Sequence, residues 1–114
     1  MANTFRSETD TAVGTSPATV YTGPASTQVT LIGLTIANIV TSQIEVDVQL
    51  DASGRTSGAE DSVYLIKDAP IPVGSSLVVV GGDQKVVMEP GDTLKVTSNT
   101  ASSADVHVSL LEIT

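Results

Sequence analysis

From Ala18 to Ile113 the chain alternates between short runs of Val, Ile, Leu and Thr and clusters of Gly, Pro, Asp, Asn and Ser. The clearest run places Ile44, Val46, Val48 and Leu50 in alternation with Glu45, Asp47 and Gln49. A period of two with one apolar and one polar side predicts a strand with one face buried. Gln28 to Ile39, QVTLIGLTIANI, is apolar on both sides in places, the pattern of a central strand. The bend from Asn38 to Ser42 between these two runs predicts that they form an antiparallel pair.

The same reading gives strands at Thr19 to Thr22, Ser62 to Ala69, Ser75 to Val80, Gln84 to Met88, Thr93 to Ser98 and Asp105 to Ile113. Gly23-Pro24, Pro70-Ile71-Pro72 and Gly81-Gly82-Asp83 punctuate them. In Glu89-Pro90-Gly91-Asp92, Pro at the second position and Gly at the third predict a type II turn, because Gly accepts the positive φ required there. Asp51 to Asp61, with two glycines, reads as a polar loop. Eight strands at this spacing predict an all-β, antiparallel sandwich of jelly-roll type over residues 18–114. No stretch carries a helical period, and no internal repeat is found.

Residues 1–17 show no apolar periodicity. They read as an extended N-terminal arm, ordered only when a partner or a neighbouring subunit holds it. Phe5 is the one large apolar side chain that could anchor such an arm, and removal of residues 1–13 is expected to leave the domain folded but weaken assembly.

Composition narrows the function. A chain of 114 residues is one domain. It has no Cys, which excludes disulfides and thiolate metal sites. With 3% aromatics, the core must come from Val, Ile and Leu. Thirteen acidic residues against five basic give a net charge of −8, the wrong sign for nucleic acid or an anionic membrane surface. No run approaches the ~20 apolar residues of a spanning helix, and the N-terminus lacks the apolar stretch of a signal peptide. A soluble protein made in a cytoplasm is expected.

Candidate chemistry is sparse. A nucleophilic triad needs a base beside its nucleophile. His107, the only His, lies opposite Val106, Val108 and Leu110 in strand alternation, so it reads as a polar-face residue. Glu45 and Asp47 share a strand face, as a glycosidase carboxylate pair could, but the aromatic platforms of a sugar cleft are missing. Asp51, Glu60 and Asp61 flank one loop without the spacing of a calcium site. Gly81, Gly82 and Gly91 stand between strands, with no helix behind them to cradle a phosphate. The expectation is a protein that is not an enzyme and has no catalytic residues, no cofactor and no metal. A carbohydrate-binding module is a third reading, again disfavoured by the shortage of aromatics.

The runs IGLTIANIVTSQIEVDVQL, YLIKDAPIPVGSSLVVVGGDQKVVMEPGDTLKV and DVHVSLLEI, about Val29 to Ile113, resemble small virion proteins of tailed bacteriophages. The most specific part runs from Ile71-Pro72-Val73-Gly74 through Gly82-Asp83-Gln84-Lys85 to Pro90-Gly91-Asp92-Thr93-Leu94. The resemblance implies a non-enzymatic capsid decoration (cement) protein in the virion, bound to the major capsid protein as a homo-oligomer, with a trimer favoured. The alternative is a neck, tail or fibre component. It transfers no catalytic residue. Contacts to partners are expected at Phe5 and Arg6 of the arm and at the spare apolar positions Leu31, Val78, Val80, Leu111 and Ile113.

Overall fold

The computed structural model describes residues 2–55, 61–81 and 83–114. Among these described residues are nine strands: β1 (Asn3–Val13), β2 (Ala18–Thr22), β3 (Gln28–Asn38), β4 (Ile44–Asp51), β5 (Val63–Ile71), β6 (Ser76–Val80), β7 (Val86–Met88), β8 (Thr93–Ser98) and β9 (Ala104–Ile113). One sheet has the order β1-β9-β3-β6, with β7 also paired to β3, and the other has the order β2-β8-β4-β5. Every pairing is antiparallel. The chain is thus a ribbon folded on itself and wound up. β4 pairs with β5 at its tip, β3 with β6 and β7, β2 with β8, and β1 with β9 at its open end. This is the all-β, antiparallel, jelly-roll-like sandwich that the period-two pattern predicts.

The inner faces are apolar, as the alternation requires. Ile44, Val46 and Val48 of β4 pack with Val29, Leu31, Leu34 and Ile36 of β3, and Val106, Val108 and Leu110 of β9 join the same core. Leu94 and Val96 of β8, Ile71 and Met88 are fully enclosed there as well. Each such side chain is worth about 1.5–3 kcal/mol when fully buried. No core aromatic is needed beyond Tyr21, whose hydroxyl donates to Glu112 at 2.5 Å. Burial and that bond to a carboxylate push the Tyr21 hydroxyl far above its ordinary pKa.

Three expectations are corrected. Residues 3–13 are not an arm but the edge strand β1, paired with β9 from Asn3↔Ile113 to Val13↔Ala104. Only Val13 of this strand is buried, which is why no apolar period announces it. A bulge between Asp10 and Val13 sets Ala12 at φ 55°, where the Asp105 carboxylate accepts from the Thr11 hydroxyl at 2.7 Å and the Ala12 N–H at 3.1 Å.

The second correction concerns β3 and β4, which do not pair but lie in different sheets. Asn38 makes the corner. Its side-chain amide donates to the carbonyls of Ser42 and Ile71, each at 2.9 Å, while its Oδ1 accepts from the Val40 N–H. Third, β5 runs on through Pro70 to Ile71. Pro70 is tolerated because β5 is an edge strand and can leave a ladder donor missing on its free side.

The turn at Glu89–Asp92 forms as predicted: Gly91 has φ 92°, and the Asp92 N–H donates to the Glu89 carbonyl at 3.0 Å. Gly91 is also pressed against the loop after β4, where a Cβ would stand 2.0 Å from the Gly54 carbonyl oxygen. Glu60 and Gly82 lie outside the described residues.

Candidate interaction face

The two outer faces of the sandwich differ in chemistry. On the β2-β8-β4-β5 sheet, the polar half of the β4 alternation faces out: Glu45, Asp47, Gln49 and Asp51. Asp47 lies 3.6 Å from Lys67 and accepts from the Asp68 N–H at 2.7 Å, holding Asp68 at φ 53°. Asp51 meets Lys95 at 2.9 Å and accepts from the Ser53 and Ser62 hydroxyls. The Lys95 ammonium and these hydroxyls hold the Asp51 carboxyl far below the usual carboxylate range. Lys67 also stands over the Tyr64 ring, 4.7 Å from its centroid. This is a solvated, ion-paired surface, and Asp47, one half of the glycosidase-like pair, is engaged in shaping the backbone of β5.

The other sheet is different. Pairing registers place Phe5 beside Leu111, Leu111 beside Thr30 and Thr30 beside Val87, so one row crosses β1, β9, β3 and β7. A second row runs Thr9, His107, Thr35, Val78 across β1, β9, β3 and β6. Neighbours in a register share a face. Phe5 is 75% exposed, Val78 63% and Val87 61%. Leu111 and Ile113 are half-buried beside them. Among the described residues, Asp105 at one end is the sole carboxylate on the outer face of β9, and β3, β6 and β7 carry no charged residue. Partly apolar and with Asp105 as the one carboxylate on the outward side of its strands, this face is what a protein partner can cover with little desolvation of charge.

Of the predicted contacts, Phe5, Val78, Leu111 and Ile113 come together here. Leu31 and Val80 do not: they are 0% and 1% exposed and belong to the core. Their parity in strands apolar on both sides left this open until the register fixed it. Arg6 points to the inner side of the β1 edge, where it bonds Glu8 at 2.8 Å and lies 3.7 Å from Glu112. Val87 was not foreseen, because it sits between Val86 and Met88 and a three-residue strand of apolar residues has no readable parity.

A concavity of about 470 Å³ opens on this face, lined by Thr9, Thr35, Ala37, Asp105 and His107 among others. It does not assemble a triad. The Asp105 carboxylate is engaged by the β1 bulge, and among the described residues no hydrogen bond joins His107 to a hydroxyl or a carboxylate.

No family model matches the chain, and no curated protein matches it. Among solved structures, a chain from the Bacillus endospore appendages, reported to form a novel family of disulfide-linked pili, aligns with a TM-score of 0.54. The alignment covers 99% of this chain and 87% of that one at 16% sequence identity. At that identity the likeness concerns the fold. The cysteine-free chain has no means of forming the disulfides named for that neighbour.

Proposed function

We propose that the chain is a non-enzymatic structural subunit that acts by covering and being covered by other protein surfaces. The observation that carries this is the outer face of β1, β9, β3, β6 and β7, where the strands present one carboxylate, Asp105, and expose Phe5, Val78 and Val87 on a chain of net charge −8. The fold shared with a pilus-associated chain is in keeping with such work. The finer reading is a capsid decoration protein of a tailed phage, resting on the sequence resemblance. Each copy bound to an assembled head stabilises the lattice over free subunits by mass action. A neck, tail or fibre subunit is the alternative with the same fold and fewer copies.

Heads from a phage lacking this gene, incubated with the purified chain, test the decoration role. Co-sedimentation of the chain with the heads and a higher temperature of head disruption are expected. Failure to sediment with intact heads would remove it.

A further inference from the structure

We infer that the outer face of the β1-β9-β3-β6 sheet is the docking surface for a second copy of this chain, related by a two-fold axis. This takes the assembly role as its starting point and adds the partner and the geometry.

Charge selects the occupant. A basic partner would find its complement on the opposite sheet, where Glu45 is exposed beside the ion-paired Asp47 and Asp51. The β1-β9-β3-β6 face offers it nothing. Two copies, each at −8, repel wherever carboxylates meet, and the outward side of these strands carries one carboxylate, Asp105, where β4 on the opposite sheet carries Glu45, Asp47 and Asp51. The end residue Asp105 is held back by its bonds to Thr11 and Ala12.

The rows are also self-complementary. Four strands separated by ~4.8 Å put Phe5 and Val87 ~14 Å apart, at opposite margins of one row. A two-fold axis parallel to the strands, running between β9 and β3 in the plane of contact, exchanges the two margins. Phe5 of one copy then covers Val87 of the partner subunit, and Leu111 covers Thr30 of the partner subunit. Both contacts occur twice, as an isologous interface requires. Sheets packed face to face cross at about 30°, which their twist allows. Ten residues of strand by four strands give a footprint of ~600 Å² per copy. That is ~1,200 Å² in total, the lower bound of specific stable interfaces.

Light scattering coupled to size exclusion at tens of micromolar tests the pairing. The full chain is expected at twice its chain mass, and Val87→Glu, which places a carboxylate under Phe5 of the other copy, is expected at one. Within one copy the two positions are too far apart for an ion pair, so adding Phe5→Lys to Val87→Glu restores the dimer only through contact between copies. Val63→Glu, on the other sheet, leaves the mass unchanged. A wild-type monomer or trimer, a Val87→Glu variant that remains dimeric, or a double variant that stays monomeric would overturn the inference. Circular dichroism confirms the fold of each variant; should Val87→Glu not fold, Phe5→Lys alone is expected to be monomeric. These masses are read on free protein, so a dimer that fails to bind heads would sink the decoration role and leave this interface standing.

Discussion

Asp92 is fully enclosed, yet it is bonded on every side the structure shows. Its carboxylate receives Nε and Nη2 of Arg55 at 2.8 and 3.2 Å and the Glu89 N–H at 3.1 Å, while its carbonyl receives the Gly23 N–H. One side chain thus joins the β7–β8 turn to the loop after β4 and, through its backbone, to the end of β2. Arg55 keeps Glu89 at 3.0 Å, but the Glu89 N–H and two guanidinium nitrogens lose a buried charged acceptor, so Asp92→Ala is expected to cost about 2 kcal/mol or more, read by urea unfolding. A loss below about 1 kcal/mol would show that the pair is replaceable by water. The turn itself was legible, since Pro90-Gly91 specifies it. The buried role of Asp92 was not, because nothing local distinguishes a carboxylate that meets a distant Arg from one that meets solvent.

Asp51 gives a pH dependence of known sign. Its folded pKa lies below the unfolded value, so its bonds to Lys95, Ser53 and Ser62 stabilise the fold above about pH 4. That contribution is lost as pH falls from there through the folded pKa. Thermal midpoints measured from pH 6 down to pH 2 should therefore fall more steeply for the wild type than for Asp51→Asn. Parallel curves would mean that Lys95 and the two hydroxyls do not hold the charge.

At the scale of elements, β1 shows what the pattern of apolar residues cannot reveal. Its inner side carries Arg6, Glu8 and Asp10, and β1 is the edge strand of its sheet, with no strand on its free side. Both sides of the strand are therefore mostly polar, and a search for apolar alternation passes over it. A period of two was present all the same, in charge: Arg6, Glu8 and Asp10 alternate with Phe5, Ser7, Thr9 and Thr11. β4, central and half-solvated, was legible to within a residue, whereas the β3–β4 connection was not. A short polar bend serves a hairpin or a crossover equally well, and here the long-range bond from Asn38 to Ile71 marks the crossover. Because β1 is integral, deleting residues 2–13 should lower the thermal midpoint and bare the long edge of β9 to self-association, contrary to the behaviour of a dispensable arm. An unchanged midpoint in a monomeric truncation would return the segment to that status.

The whole molecule is a sandwich with one highly charged and one sparsely charged outer face, and that asymmetry links the fold to the proposed function. The charged side follows from the polar half of β4, readable in sequence. The other side is assembled from five strands drawn from both ends and the middle of the chain, each contributing an apolar residue: Phe5, Leu111, Ala37, Val78 and Val87. Only the register brings Phe5 into line with Val87 over 82 positions. A face of this kind on a strongly acidic chain suits a protein that is packed among others in many copies. Quantitative mass spectrometry of purified phage particles, with the major capsid protein as the internal standard, tests this most directly. Hundreds of copies per particle are predicted. A few to a few dozen would place the chain in the neck or tail, and its absence from the particle would contradict a virion role altogether.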